Sequence, residues 1–325
     1  MFWTASAKYA DIVLPTATTF EQDDIEGLGD YSARFIYPLH KVIDPLFESR
    51  PTYDIFLSIA QRLGYGQAFS EGKSNMDWIE SFYKAAVKQA KTKKINIPDF
   101  DTFWEGGSYV EFIVPEGSKK WVRHADFRED PLLEPLGTAT GKIELYCKAI
   151  EKMGYEDCPA HATWIEPIEW LGSKKAGQYP LHLLSPHPKD RLHSQMNNVA
   201  SLRKKYAIQD REPVWISAAD AKARGINHGD VVRVFNDRGQ TLAGAYVTDK
   251  LRQGVVRLRE GGWYDPQEPG KAGSLCKYGH INVLTIDKGS SKLSQGNIAN
   301  TALVQIEKYT GKLPEVTAFD PPKSA

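Results

Sequence analysis

Short β-like runs at near-regular intervals constrain the fold of this chain more than any other feature. They lie at residues 181–184, 214–216, 231–235, 241–247 and 254–258. Turn residues such as Asp237-Arg238-Gly239 separate them, and Gly239 is expected to adopt a positive φ in its hairpin. Evenly spaced short strands are typical of barrels and sandwiches, so the chain from Tyr179 onward is predicted to form one.

The first half of the chain has a different pattern. Apolar residues recur at helical spacing over residues 51–63 and 76–91, which predicts two amphipathic helices. In the second helix Lys84 and Lys88 are expected to face solvent. Ser217 is expected to cap a short helix that ends near Gly225. Residues 10–14 are expected to form a short buried strand that needs neighbouring strands.

Composition excludes several classes of function. The 325 residues hold 41 Lys+Arg and 41 Asp+Glu, a balance that disfavours generic nucleic-acid or anionic-membrane binding. Cys147, Cys158 and Cys276 lie far apart without a C-x-x-C pair, so neither a zinc knuckle nor a cysteine-ligated iron–sulfur cluster is predicted. No apolar run approaches the roughly 20 residues of a membrane span, and the N-terminal residues do not resemble a signal peptide.

Common catalytic motifs are also missing from the sequence. It contains no G-x-G-x-x-G, G-x-x-x-x-G-K-[ST], H-E-x-x-H or G-x-S-x-G pattern. Simple NAD chemistry, nucleotide hydrolysis, zincin chemistry and α/β-hydrolase chemistry therefore lose their strongest sequence support.

Two polar segments are the candidate sites. Residues 185–198 (SPHPKDRLHSQMNN) are too polar for a core element and form either a solvated loop or a surface for a polar ligand. Imidazole, amide and hydroxyl groups bind a heterocycle edge or a phosphate. Residues 277–301 combine a strand-like run at 281–286 with a Gly/Ser turn and several amides, which form either an ordinary turn or an anion-binding nest.

At these segments the sequence resembles the bis(molybdopterin guanine dinucleotide) molybdenum S- and N-oxide reductases, which include dimethyl sulfoxide, trimethylamine N-oxide and biotin sulfoxide reductases. The motifs that carry the resemblance occur in the family's order along nearly the whole chain. They are ADIVLP at 10–15, GKIEL at 141–145, SPHP at 185–188, RLHSQ at 191–195, REP at 211–213, VFNDRG at 234–239, GGWY at 261–264, KYG at 277–279, NVLT at 282–285 and EKYTG at 307–311.

The resemblance implies a fold and a division into domains. The fold class is α/β followed by mostly β: a remnant of a Rossmann-like cofactor domain, then a C-terminal six-stranded aspartate-decarboxylase-like β-barrel. Residues 1–64 would be the end of the α/β molybdopterin-binding domain, and residues 65–178 would be a helical and irregular connecting region. Residues 179–312 would form the dinucleotide-binding barrel, and residues 313–325 would be a tail. The molybdenum-ligating serine would lie upstream of Met1, so this chain would hold neither a metal ligand nor a catalytic residue.

The resemblance also implies which residues bind the cofactor, bis(molybdopterin guanine dinucleotide) molybdenum. By motif position they are His187, His193, Ser194, Gln195, Asn282 and Asn300. Some relatives carry Gln at the position of Asn300, so that contact would be shorter or water-bridged.

The implied activity is the reduction of trimethylamine N-oxide or a sulfoxide such as dimethyl sulfoxide by oxygen-atom transfer. The implied electron donor is a multihaem c-type cytochrome, and the implied location is the periplasm. Two alternatives are a biotin or methionine sulfoxide reductase and a non-catalytic cofactor-binding module.

Overall fold

The computed structural model describes residues 2–28, 34–114 and 116–322, which divide into two compact units. The first unit comprises residues 11–142, and the second comprises residues 2–10 and the chain from residue 143. Among the described residues, every helix is too short or too polar to cross a bilayer. The helices are α1 (Ala5–Tyr9), α2 (Thr52–Arg62), α3 (Gly66–Ser70), α4 (Asn75–Thr92), α5 (Phe100–Glu105), α6 (Ala125–Glu129), α7 (Lys148–Glu151), α8 (Ala200–Arg203) and α9 (Ala218–Lys222).

The first unit packs helices with a three-stranded sheet of order β1-β2-β3. The strands are β1 (Asp24–Leu28), β2 (Phe35–Leu39) and β3 (Val110–Glu111), and both pairs are antiparallel. Among the described residues of this unit, parallel pairing in the region 1–64 is limited to an isolated bridge between Thr16 and Arg50. The predicted strand at residues 10–14 is wrong: the segment is irregular, and Ile12 is 78% exposed, because no described strand pairs with it.

Both predicted amphipathic helices are confirmed as α2 and α4. Helix α4 begins at a capping box in which the Ser74 hydroxyl accepts from the Asp77 amide and the Asp77 carboxylate accepts from the Ser74 amide. Its apolar face buries Tyr83, whose ring stacks on Phe103 with centroids 4.0 Å apart. Burial raises the pKa of Tyr83 to about 12.

The second unit is built on a closed six-stranded barrel of order β4-β8-β5-β7-β6-β9, which confirms the predicted mixed α/β start and terminal barrel. Pairs β4/β8 and β5/β7 are parallel and the other four pairs are antiparallel. The strands are β4 (Leu181–Leu184), β5 (Pro213–Ser217), β6 (Val231–Phe235), β7 (Gln240–Thr248), β8 (Val255–Leu258) and β9 (Ala302–Lys308).

The alternating burial of β4 and β8 explains why the sequence pattern revealed these two strands. Leu181 and Leu183 of β4 point into a core that also contains Val214, Val256 and Val304, all essentially inaccessible to solvent. All five predicted runs are confirmed as strands, and α9 is capped by Ser217 as expected. The strand predicted at 281–286 is wrong, because this segment contains a 3₁₀ turn, Ile281–Val283.

Candidate functional site

A polar cavity of about 600 Å³ lies at one end of the barrel. Because β4 and β8 are parallel and β9 runs antiparallel to β4, the ends of the first two strands and the start of the third meet at this end. The cavity is lined by Ser185, His187, His193, Glu260, Asn282, Thr285, Ile286, Asp287, Asn297, Ala299 and Asn300.

His187 and His193 share one acceptor in the cavity wall. The Nδ1 atoms of His187 and His193 lie 2.5 and 2.7 Å from the same carboxylate oxygen, Oε1 of Glu260. The two imidazole rings meet edge to face, with centroids 4.8 Å apart. One carboxylate therefore orients both rings toward each other at the cavity mouth.

A buried guanidinium holds the two segments that carry these groups. Arg191 donates from Nε to the backbone oxygen of His193 at 2.9 Å and from Nη2 to that of Glu260 at 2.7 Å. The segments also touch directly at Gly261, where a Cβ would lie 2.0 Å from the His193 oxygen and where φ is +79°. Only glycine permits this approach.

Asn300 ties the segment after β4 to the segment before β9. Its side-chain oxygen accepts from the Ser185 amide at 2.7 Å, and its backbone oxygen lies 2.9 Å from His182 Nε2. The side-chain carbonyl is thus used within the protein, and the amide NH₂ group supplies the donors for a ligand.

Asn282 is positioned by the hairpin between β6 and β7. Asn236 Nδ2 donates to the Leu284 oxygen at 2.8 Å, and Arg238 donates to the same oxygen from two nitrogens. Gly239 makes the close packing possible, since a Cβ there would lie 2.6 Å from the Val283 oxygen. The positive φ predicted for Gly239 is wrong, because Gly239 is not among the residues with positive φ. A glycine is needed there because its backbone approaches that of Val283 closely.

Glu169 anchors the same corner of the barrel. Its side chain is 1% exposed and accepts from Arg238, Lys175 and the Leu303 amide of β9. Burial alone would raise its pKa, but the hydrogen bonds from Arg238, Lys175 and Leu303 outweigh that effect and lower the pKa of Glu169 to about 2.

The structure brings four of the six predicted residues together. His187, His193, Asn282 and Asn300 line the cavity, whereas Ser194 and Gln195 are exposed and do not. Ser194 acts through its backbone, whose oxygen accepts from the Trp263 indole at 2.9 Å. Sequence reasoning missed Glu260 as a site residue. Its position directly before the glycine pair at the end of a strand was the available signal.

Comparison of the chain with known proteins identifies the families to which its segments are similar. Residues 181–303 match the Molydopterin dinucleotide binding domain, and residues 1–62 match Molybdopterin oxidoreductase. The dimethyl sulfoxide/trimethylamine N-oxide reductases of Cereibacter sphaeroides and Rhodobacter capsulatus are 57% and 54% identical over 323 residues, 99% of this chain. The acetylene hydratase of Pelobacter acetylenicus has a similar fold, with a TM-score of 0.66 and 18% identity over 94% of this chain and 39% of its own.

The barrel and its cavity are therefore a molybdopterin dinucleotide binding domain. With the N-terminal match and the extended identity to the reductases, the chain belongs to the molybdopterin oxidoreductases, as the motifs indicated. It spans 39% of the length of these relatives. The family indicates a molybdenum bis(molybdopterin guanine dinucleotide) cofactor.

The groups in the cavity fit the heterocycles of that cofactor. Pterin and guanine share an edge with N–H and NH₂ donors beside a carbonyl acceptor. Glu260 and Asp287 offer carboxylate acceptors, Asn282 offers an amide that can donate and accept, and Asn300 offers its NH₂ group as a donor. Since no Lys or Arg occurs among the described lining residues, the cavity fits a heterocycle edge better than a pyrophosphate.

Proposed function

We propose that this chain supplies cofactor-binding surface to an oxidoreductase that reduces trimethylamine N-oxide or dimethyl sulfoxide. The names of similar proteins, which include the trimethylamine-N-oxide reductase of Haemophilus influenzae at 51% identity, support this substrate class. The observation that carries the proposal is the polar cavity at the barrel end, where His187, His193, Asn282 and Asn300 converge.

In this proposal the bound molybdenum cofactor supplies oxygen-atom transfer and the accompanying electron exchange. The residues of this chain hold and orient it: Asn282 and Asn300 pair with a heterocycle edge, and Glu260 fixes the rings of His187 and His193 against it. A multihaem c-type cytochrome as electron donor and a periplasmic location complete the proposal, and both rest on the family resemblance alone.

Binding of guanine nucleotides by the 325-residue chain tests the cavity assignment. We expect guanosine diphosphate to bind more tightly than adenosine diphosphate, since only guanine presents N–H and NH₂ donors to the carboxylates. Isothermal titration with both nucleotides measures the difference, and Asp287→Asn should reduce it. Equal affinity for the two nucleotides would contradict the assignment.

Activity requires a full-length protein that contains this chain. There we expect His193→Ala to lower molybdenum content and turnover of trimethylamine N-oxide, because unpaired cofactor groups cost roughly 1–3 kcal/mol. His193 has a φ of +50°, so His193→Asn, which tolerates that conformation, separates loss of the imidazole from backbone strain. Unchanged metal content and turnover in both variants would reject the role of His193, and faster turnover of biotin or methionine sulfoxide would reject the substrate class.

A further inference from the structure

Three side chains in the cavity wall also form a potential metal-ligand set. The ligand atoms of His187, His193 and Glu260 all lie within 4.8 Å of one another. No other group of three such residues is found in the described parts of the chain, 2–28, 34–114 and 116–322. Two imidazoles and one carboxylate also make up the protein ligands of some open zinc sites, in which a fourth position stays available.

We propose that His187, His193 and Glu260 bind a divalent transition-metal ion in the chain without its molybdenum cofactor. Two imidazoles favour Zn²⁺, Ni²⁺ or Cu²⁺ over Mg²⁺ or Ca²⁺, which prefer oxygen ligands. The proposal concerns the chain's own residues and does not depend on the substrate or the activity proposed above.

Side-chain adjustment suffices to form this site: the three ligand atoms lie within 4.8 Å of one another, so the two nitrogens would have to approach each other by at most about 1.5 Å. At metal–ligand bonds of about 2.0–2.1 Å, tetrahedral ligand atoms lie about 3.3 Å apart. The two Nδ1 atoms now lie 2.5 and 2.7 Å from Glu260 Oε1, so the carboxylate oxygen would retreat by less than about 1 Å. The side chains of His187 and His193 are 75% and 57% exposed, which leaves the rings room to adjust.

The backbone beneath the ligands is already fixed. Arg191 binds the backbone oxygens of both His193 and Glu260, and the side chain of Arg191 is itself 1% exposed. Two of the three ligands therefore keep their spacing whether or not a metal is present, which lowers the ordering cost of binding.

The charge of the cavity favours a cation. Glu260 and Asp287 contribute carboxylates, and the described lining residues include no lysine or arginine. A dication near these carboxylates gains attraction without displacing a positive side chain. Its open coordination position would face the cavity, so the metal and a heterocycle would compete for the same imidazoles.

Zinc titration of the tag-free 325-residue chain tests the proposal, in a Cys147→Ser/Cys158→Ser background that removes the partly exposed thiols. We expect one Zn²⁺ per chain by isothermal titration. His187→Ala, His193→Asn and Glu260→Gln should each weaken binding at least about tenfold. His228→Ala is the matched control, because His228 is an exposed histidine of the same unit outside the cavity.

Far-UV circular dichroism of each variant separates ligand loss from unfolding. Stoichiometric binding that His193→Asn and Glu260→Gln weaken in folded protein supports the site. Absence of stoichiometric binding, or binding that survives both substitutions, would overturn it. Guanine-nucleotide affinity measured on the same variants without zinc reports on the proposed cofactor role separately.

Discussion

Arg191 and Glu212 form a fully buried ion pair, with Nη1 and Oε1 2.9 Å apart and side chains 1% and 0% exposed. Glu212 also accepts from Arg259, Asn197 and the Tyr278 hydroxyl, at 3.0–3.2 Å. This network lies directly beneath the cavity, because Arg191 reaches from Glu212 to the backbone of His193 and Glu260. The stability of the barrel and the shape of the site thus depend on the same guanidinium.

Breaking this pair should be costly. We expect Arg191→Met to lower the free energy of unfolding by about 3–5 kcal/mol, since it leaves the Glu212 carboxylate buried without one of its cations. Denaturant unfolding followed by tryptophan fluorescence measures the change. Arg233→Met is the control: its pair with Glu307 is partly exposed, at 32% and 51%, and should be worth at most about 1 kcal/mol. Similar losses in the two variants would contradict this role of burial.

Glu169 should make stability depend on acid pH. Its pKa of about 2 in the folded protein lies below the ordinary value of 4.5, so the unfolded chain binds the proton more tightly. The stabilisation is therefore complete above about pH 4.5 and is lost as the pH falls toward 2. We expect Glu169→Gln to be destabilising at pH 7 and progressively less so on acidification. Unfolding free energies of both proteins from pH 2 to 7 test this, and a pH-independent difference would refute it.

Gly261→Ala should disturb the contact between the two loops that form the cavity. The new Cβ would lie 2.0 Å from the His193 oxygen, and the backbone φ of +79° adds strain of about 1–2 kcal/mol for an L residue. Gly270→Ala is a matched control, because Gly270 has a φ of +78° and nothing within 4 Å of a Cβ. We expect guanine-nucleotide affinity to fall only in Gly261→Ala. Backbone strain should lower the free energy of unfolding in both variants. Equal binding by both variants would argue against the close approach.

Lys84→Ala should be nearly silent. Lys84 is 65% exposed on α4 and pairs with Glu80 one helical turn away, at 2.6 Å. Exposed pairs of this spacing contribute about 0.3–0.5 kcal/mol. The free energy of unfolding should therefore stay within about 0.5 kcal/mol of that of the parent protein, as denaturant unfolding measures it. A larger loss would mean that the face predicted as solvated is in contact with other parts of the protein.

The sequence predicted those elements whose burial pattern repeats locally. Strand β4 alternates between buried and partly buried residues, and α4 shows a helical apolar face, so neighbouring residues suffice to recognise them. The run at 281–286 looks equally apolar, yet Asn236 and Arg238 from a distant hairpin bind the Leu284 backbone oxygen and hold a 3₁₀ turn there. Such partners cannot be read from local spacing.

In the site, too, residues within one local stretch could be predicted from the sequence, whereas a partner from a distant strand could not. His187 and His193 stood out because they lie in one unusually polar stretch, whereas Glu260 lies 67 positions after His193 and reaches it only through the pairing of β4 with β8. Ser194 and Gln195 shared that polar stretch but turn outward, because a polar loop presents only some of its side chains to one side. Family motifs locate the segments, and the strand order decides which side chains meet.

The strand order of the barrel also determines when it can close. Strand β4 pairs with β9, so residues 181–183 can pair only after residues 302–304, more than a hundred positions later, have been made. Strand β6 also pairs with β9. Loops of that length make contact order high and folding slow. During synthesis both partner edges stay open until the last strand has left the ribosome, and a chain shortened before residue 302 would keep two unpaired edges prone to aggregation.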